Sequence, residues 1–233
     1  MDGEPSIATV AALIGDTGRA AMLAALVGGR ALPAGELAAA AGLSPSAASA
    51  HLTKLTDGGL LTVEREGRHR YYRLAGPGVA AILESLASHA GQMIRPGAVR
   101  TPKARALRHA RTCYDHLAGE LGVAVAAALE GRGLLAPAGG KRLDVTPSGA
   151  MWFATVLGID ATALRPGRHG IACRCLDWTE RRHHLAGPLG AQMLLRCCDL
   201  GWLTKVPGSR AVQLNPSGRD SLHRQLGLRA AEV

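Results

Sequence analysis

The stretch of residues 36–59 combines two short helical patterns with a tight turn between them, and few folds accommodate that arrangement. The first segment, ELAAAAG, ends at Gly42, and helices commonly end on glycine. The second begins with Ser44 as an N-cap and Pro45 in the first helical position, where its missing N–H group costs nothing. The apolar positions that follow recur at i, i+4 and i+7: Ala48, Leu52 and Leu55. The turn AGLS therefore predicts a helix-turn-helix whose second helix keeps one polar face free.

The flanking segments extend this unit over residues 6–92. Two helical patterns precede it, and the segment LLTVEREGRHRYYRL alternates around a turn at residues 66–68, which predicts a β-hairpin. A further helix is predicted from about Gly78 to Met93. The order helix, helix, turn, helix, hairpin, helix is that of a winged helix-turn-helix. The alternative is an all-helical bundle with an incidental hairpin.

The second half of the chain contains an internal repeat. HLAGELGVAVAAALEGRGLL, residues 116–135, matches HLAGPLGAQMLLRCCDLGWL, residues 184–203, and LDVTPSG, residues 143–149, matches VQLNPSG, residues 212–218. Each copy indicates a helix, a hairpin and a second helix. We therefore predict two degenerate winged-helix-like repeats, 116–149 and 184–218, and a fold that is mainly α with small β-hairpin wings, of the α+β class.

The charge of the chain is unevenly distributed. The net charge is +9, but residues 1–92 hold 7 Lys/Arg and 8 Asp/Glu, whereas residues 93–233 hold 20 and 10. The second half is therefore expected to contact either phosphates or an anionic effector. No apolar run reaches the roughly 18 residues of a membrane span, and the start lacks a secretory signal. Five cysteines fit a reducing compartment, so the expected location is cytoplasmic, without membrane contact.

Three motifs in residues 7–90 carry a family resemblance. They are the D-x-x-R pattern from Asp16 to Arg19, the segment LSPSAASAHL and the segment EREGRHRYYRL. Together they resemble the ArsR-type winged-helix transcriptional repressors. The resemblance implies a symmetric homodimer, formed by the first helix and the helix from Gly78. It also implies that this dimer binds double-stranded DNA at a palindromic operator, with each recognition helix in a major groove.

The resemblance further implies which side chains contact DNA. The positions expected to face bases are Ser46, Ala47, Ser49 and Ala50, and those nearer phosphate are His51, Thr53 and Lys54. The wing residues expected to reach phosphate or the minor groove are Arg65, Arg68, His69 and Arg70. The alternative for the wing is a solvated hairpin.

The metal sites of many relatives are missing from this sequence. Those relatives use two cysteines on the helix before the recognition turn, where this chain has alanines at residues 38–41. The last helix offers only Glu84 and His89 for the family's other site, too few for tetrahedral zinc. The sequence therefore predicts neither a metal nor a cofactor.

All five cysteines lie in the second half, and none has the C-x2-C spacing of a zinc ribbon. Cys197 and Cys198 fall in an apolar helix and are predicted to pack in the core. Three nearby arginines, at 174, 181 and 182, are expected to lower the pKa of Cys175. Cys113 and His116 stand at i and i+3, interpreted as one helix face. For Cys113 and Cys175, a structural role and a redox or ligand-sensing role remain equal alternatives.

The string CLDWTERR, residues 175–182, mixes a thiol, an aromatic ring and both charges. Such a mixture suits the wall of a ligand pocket, or equally a buried ion-paired corner joining the two repeats. The effector or redox candidates are Cys113, Tyr114, His116, Cys175, Asp177, Trp178 and Arg181.

These patterns divide the chain into three parts with separate expected roles. They are a DNA-binding and dimerisation domain over 1–93, a basic linker with a helix start over 94–111, and an effector or regulatory domain over 112–233. The predicted function is a dimeric repressor released by a small organic effector. The alternatives are a thiol-based redox-sensing regulator and a nucleoid-type architectural protein. No G-x-S-x-G, phosphate-loop or H-E-x-x-H motif is present, so no enzyme is predicted.

Overall fold

The structure is a computed structural model that describes residues 6–67, 69–93 and 101–229, with the main chain alone for residues 91–93. The chain divides into two compact units, Met1–Ser85 and Leu86–Val233. Among the described residues no single helix is long and apolar enough to cross a membrane, although one bent helix pair, Ile7–Ile14 with Thr17–Leu26, passes on length and composition.

The first unit follows the predicted winged helix-turn-helix order. Its elements are α1 (Ile7–Ile14), α2 (Thr17–Leu26), β1 (Leu32–Pro33), α3 (Ala34–Ala41), α4 (Pro45–Asp57), β2 (Leu61–Glu66), β3 (His69–Leu74) and α5 (Pro77–Met93), the last of which continues past Ser85. The three strands form an antiparallel sheet in the order β1–β3–β2. Strand β1 was not predicted, because two residues are too few to display the alternation of a strand.

Local signals explain where the two central helices begin and end. Gly42 adopts a φ of 64° and ends α3, and Ser44 Oγ accepts a hydrogen bond from the Ala47 amide at 3.3 Å to begin α4. The fully buried leucines of this unit come from the three helices α2, α3 and α4: Leu23, Leu26, Leu37, Leu52 and Leu55. Burial of each such side chain stabilises the fold by roughly 1.5–3 kcal/mol, so the apolar stripe fixes which face of α4 points outward.

The second unit contains two copies of one element order. Helix α6 (Pro102–His109) precedes the first copy, which comprises β4 (Arg111–Cys113), β5 (His116–Ala118), α7 (Gly119–Gly131), β6 (Leu135–Pro137), β7 (Arg142–Val145) and α8 (Pro147–Leu157). A single 3-10 turn, Ala161–Ala163, leads to β8 (Ala172–Leu176), β9 (His183–Ala186), α9 (Gly187–Asp199), β10 (Leu203–Lys205), β11 (Val212–Leu214) and α10 (Pro216–Leu226). Residues 94–100 of the predicted linker lie outside the described part, and α6 begins at Pro102, where the linker was expected to become helical.

Each copy opens with a short hairpin that the sequence analysis did not predict. Cys113 ends β4 and His116 begins β5, so the interpretation of this pair as neighbours on one helix face is wrong. Tyr114 adopts a φ of 56°, which reverses the chain within two residues and replaces the helix by a tight turn.

The two copies are joined by backbone hydrogen bonds between their hairpins. The second hairpin of the first copy pairs with the first hairpin of the second copy through Leu143 and Ala172, giving the sheet order β6–β7–β8–β9. The start of the first copy also pairs with the second hairpin of the second copy. The Thr112 amide donates to the Arg210 carbonyl at 2.8 Å, and the Val212 amide donates to the Ala110 carbonyl at 2.9 Å. Backbone N–H and C=O groups at the edge of a strand need hydrogen-bond partners. These hydrogen bonds therefore hold the two copies together at two places.

Candidate DNA-contacting surface and a buried cysteine–histidine cluster

The outward face of α4 carries most of the predicted base and phosphate contacts. The exposed positions on it are Ser46, Ser49, Ala50, Thr53 and Lys54, whereas Ala47 and His51 are half-buried. The inward face is formed by the buried Ala48, Leu52 and Leu55. The exposed face is therefore built from small and polar side chains, which allow a close backbone approach to another surface.

His51 has a structural partner on α2. Its Nδ1 atom lies 3.2 Å from Arg19 Nη1 and 3.6 Å from Asp16 Oδ1. Arg19 also donates through Nε to the Leu13 carbonyl at 2.6 Å, at the C-terminal end of α1. The D-x-x-R pattern therefore joins α1, α2 and α4, which is a role that the sequence analysis did not assign to it.

Asp16 is the N-cap of α2. Its Oδ1 accepts the Arg19 amide at 2.9 Å. This backbone hydrogen bond, with the nearby charges of Arg19 and His51, outweighs desolvation and lowers the pKa of Asp16 below its ordinary value.

The wing places two arginines directly opposite each other. Arg65 on β2 pairs in register with Arg70 on β3, and both side chains are exposed. In the described part of the chain no carboxylate pairs with either of them, whereas Arg73 donates to Glu64 at 2.8 Å. Exposed His69 lies beside this pair on β3, and Arg68 lies outside the described residues. Because like charges opposite each other are destabilising, the wing tip is a position where an anion would be favourable.

A second cluster lies within the second unit, where each of the new hairpins contributes one cysteine and one histidine. Cys113 lies opposite His116 in the β4–β5 register, and Cys175 lies opposite His184 in the β8–β9 register. Across the hairpins, the two Sγ atoms are 3.8 Å apart and the two Nε2 atoms are 3.2 Å apart. All four donor atoms lie within 4.8 Å of one another, and three of the residues are buried while Cys175 is partly buried.

Each histidine of this Cys–His cluster turns its other ring nitrogen toward a carboxylate. His116 Nδ1 lies 3.0 Å from Asp115 Oδ1, and His184 Nδ1 lies 3.3 Å from Asp177 Oδ2. Burial opposes protonation of His116, but Asp115 and Cys175 together raise its pKa to about 9. The four donor atoms are those that bind zinc and other soft transition metals.

The pKa of Cys175 is held well below the ordinary thiol value, although not for the predicted reason. The hydrogen bond from Cys113 contributes most, and contacts with His116 and His184 add to it against the opposing effect of burial. Arg174 instead forms an ion pair with Glu130. The pKa of Cys175 is therefore lowered in the predicted direction, but Cys113 and the two histidines are the largest causes rather than the arginines.

Asp177 forms a buried ion pair between the copies. Its Oδ1 accepts from Arg111 Nη2 at 2.8 Å and its Oδ2 accepts from the Gly119 amide at 2.7 Å, and both charged side chains are fully buried. The Arg111 guanidinium also lies 4.5 Å from the centre of the Trp178 ring, a cation–π distance. The structure therefore shows an ion-paired corner at Asp177. Although burial acts in the opposite direction, the contacts with His184, Arg111 and Thr179 lower the pKa of Asp177 far below its usual range.

The remaining candidates are spread around this corner. Tyr114 lies in the β4–β5 turn, and Arg181, with a φ of 54°, lies in the connection before β9. Cys197 is buried in the core, where desolvation raises its pKa to about 12, and Cys198 is half-buried.

The sequence analysis missed His184 as a partner of these residues. The repeat contains the signal that would have found it, because His116 and His184 begin its two matching HLAG strings.

Two equivalent glycines bring the helices close to the hairpins. A Cβ atom on Gly122 would lie 2.6 Å from the Leu117 carbonyl oxygen, and one on Gly190 would lie 2.7 Å from the Leu185 carbonyl oxygen. The second would also lie 3.3 Å from the His116 Cβ. Only glycine permits this approach, so α9 supports the hairpin that carries His116.

Comparison with known proteins identifies relatives of the whole chain. Residues 16–64 match a family model described as a helix-turn-helix domain. The chain is 40% identical over 229 residues to the uncharacterized HTH-type transcriptional regulator YdfF of Bacillus subtilis (strain 168), covering 97% of this chain and 99% of that protein.

Three solved structures are similar to part of this chain. NolR from Sinorhizobium fredii is 32% identical, with a TM-score of 0.33 and coverage of 35% of this chain and 81% of NolR. The homodimeric winged helix-turn-helix domain of Mb0332 from Mycobacterium bovis is 27% identical, with a TM-score of 0.36 and coverage of 43% and 100%. HlyU from Vibrio cholerae is 29% identical, with a TM-score of 0.32 and coverage of 34% and 85%.

Proposed function

Because this chain belongs to the HTH-type transcriptional regulators and carries an ArsR-like winged helix-turn-helix domain, we propose that it is a homodimeric repressor. The dimer binds a palindromic operator in cytoplasmic DNA, and the second unit controls its release. Each α4 enters one major groove, and each wing follows the adjacent phosphates.

The single observation that carries this proposal is the combination of α4 with the wing. The exposed face of α4 is small and polar, and the wing tip holds Arg65 and Arg70 opposite each other without a carboxylate partner among the described residues. A phosphate would relieve that repulsion. In contrast, a hairpin that only faced solvent would gain nothing from the pair.

Exposed apolar side chains support the dimer. Ile7 on α1 is 83% exposed, and Ile82 and Leu86 on α5 are 45% and 48% exposed at i and i+4. A second copy of the chain would cover such a stripe, and these are the two helices through which the family resemblance implies dimerisation. Ile82→Glu is expected to give a monomer in analytical ultracentrifugation. Leu176→Glu, an exposed leucine on β8, should leave a dimer.

The small-molecule effector has a candidate position in the second unit. A cleft of about 490 Å³ is lined by both polar and apolar side chains, among them His109, Glu120, Glu180, Arg182, Val123, Leu226 and Leu228. A ligand in this cleft would contact α7, which packs on β9. The substitution Ala127→Trp would fill the cleft, and we expect a repressor that no longer responds to the inducing condition in a reporter strain.

The test of the DNA-binding function is selection of a preferred site from random duplexes, followed by titration at several salt concentrations. A repressor is expected to prefer the selected palindrome over random DNA by at least about 10³-fold. Equal affinity for both, with a steep salt dependence, would instead identify the nucleoid-type architectural protein.

A further inference from the structure

We propose that Cys113, His116, Cys175 and His184 together bind one Zn²⁺ ion in tetrahedral coordination. The ion would fasten the hairpin β4–β5 of the first copy to the hairpin β8–β9 of the second. This inference does not rest on the repressor function, because it concerns only contacts within the second unit.

The distances between donor atoms fit such an ion. With Zn–S bonds of about 2.3 Å, the two sulfur atoms of a tetrahedral site lie about 3.8 Å apart. The Cys113 and Cys175 Sγ atoms are 3.8 Å apart. With Zn–N bonds of about 2.0 Å, the two nitrogens lie about 3.3 Å apart, and the His116 and His184 Nε2 atoms are 3.2 Å apart. Two opposite edges of the tetrahedron, S–S and N–N, are therefore already set by the protein.

The orientation of the histidines supports the same assignment. A metal-bound histidine almost always donates its other ring N–H to a carboxylate or carbonyl, which fixes the tautomer and the ring plane. Asp115 Oδ1 lies within hydrogen-bond distance of His116 Nδ1, whereas Asp177 Oδ2 lies 3.3 Å from the buried His184 Nδ1 without an aligned hydrogen bond. In both rings Nε2 is therefore the nitrogen left for a metal ion. A carboxylate beside each histidine is difficult to explain by packing alone, because apolar residues would fill the same space without the cost of desolvating the two histidines and Asp177.

The composition and burial of the site favour a structural ion over a catalytic one. Catalytic zinc keeps one position open for water, whereas a Cys₂His₂ set fills all four positions with protein atoms. Three of the four residues are buried, and Cys175 is partly buried. The free energy of binding such an ion is at the same time free energy of folding, so the ion would stabilise the joint between the two copies.

The first experiment measures the metal content of the full chain, purified without chelator under reducing conditions. We expect about one Zn²⁺ per chain, and reconstitution with Co²⁺ should give the intense visible bands of a tetrahedral thiolate site. A full chain that stays metal-free after refolding with ZnCl₂ would overturn the proposal.

Matched variants test the ligand assignment. Cys175→Ser and His184→Ala should each lose at least about ten-fold in Zn²⁺ affinity, measured by competition with a chromogenic chelator. Cys198→Ser, which changes a half-buried cysteine of the same unit outside the cluster, should keep the full metal content. If the ligand variants do not fold, His184→Cys provides a further test, because a Cys₃His set also binds zinc. Equal metal loss in Cys198→Ser and Cys175→Ser would contradict the assignment.

Discussion

His116 Nε2 and His184 Nε2 lie 3.2 Å apart, although 68 positions separate the two residues in the chain. The same offset relates the two HLAG strings of the internal repeat, so the two histidines occupy equivalent positions in the two copies. The packing of β5 against β9 brings these positions together in the buried interior of the second unit. The repeat in the sequence therefore places two equivalent histidines, His116 and His184, face to face in the structure.

Asp115 orients His116, and its removal should weaken metal binding without removing a ligand. We expect Asp115→Asn to lower the Zn²⁺ affinity of the full chain by about 10–100-fold, the usual effect of losing a carboxylate partner. Asp144→Asn, which changes a carboxylate paired with Arg142 on β7, serves as the control. Chelator competition measures both variants, and equal affinities would show that Asp115 does not act on the site.

The ion pair between Arg111 and Asp177 should be a major determinant of stability in the second unit. Asp177→Asn leaves the fully buried Arg111 charge without its counter-ion, and we expect a loss of about 3–5 kcal/mol in the free energy of unfolding. Asp144→Asn disrupts an exposed pair and should cost no more than about 1 kcal/mol. Denaturant titration with a probe in the second unit measures both, and similar losses would contradict the argument.

The pair of Arg65 and Arg70 on the wing should favour DNA binding and lower the free energy of unfolding of the first unit. Arg65→Ala removes one of two opposed charges, so the stability of the first unit should be unchanged or slightly higher. Its operator affinity should fall, and the slope of log affinity against log salt should decrease by about 1.8, which is about 0.9 for each of the two wings of the dimer. Arg73→Ala, whose arginine is paired with Glu64, is the matched control and should change this slope less. An unchanged slope for Arg65→Ala would show that Arg65 does not contact a DNA phosphate.

At Gly190, α9 lies close to the hairpin β8–β9, because a Cβ atom there would be 2.7 Å from the Leu185 carbonyl oxygen. Gly190→Ala puts a methyl group against the Leu185 carbonyl and the His116 Cβ, and should cost about 1–3 kcal/mol and reduce metal content. Gly131→Ala at the end of α7 meets nothing within 4 Å, and should instead stabilise by up to about 1 kcal/mol. Opposite signs in the two unfolding free energies are the expected result.

The N-cap of α2 should make the first unit sensitive to acid. The pKa of Asp16 is lower in the folded than in the unfolded state, so its contribution is present at neutral pH and is lost as the pH falls below about 4. Asparagine is also a good N-cap but does not titrate, so Asp16→Asn should lack this component. Unfolding free energies of both proteins at about pH 7 and pH 3 are compared, and a constant difference between them would contradict the prediction.

The sequence by itself determined the winged helix-turn-helix of the first unit and, in each copy, the helix, hairpin and second helix that follow the opening hairpin. The signals in this region act on neighbouring residues: the N-cap Ser44, Pro45 after it, the apolar stripe that includes Leu52, and Gly42. They can therefore be recognised in a short stretch of sequence. The winged helix-turn-helix and its family followed from such signals.

Only the tertiary structure decided the Cys–His cluster and the buried Arg111–Asp177 pair. Neither Cys113 nor Cys175 has a metal-ligand spacing of its own, and each belongs to a three- to five-residue strand too short to show alternation. Cys113 and Cys175 are 62 positions apart in the chain, and the packing of the two hairpins against each other brings their Sγ atoms within 3.8 Å. Strand pairing depends on backbone edges and on the packing of both helices, which no local pattern specifies. The physical reason is therefore that the sequence encodes helices locally, whereas the cluster is created by non-local pairing.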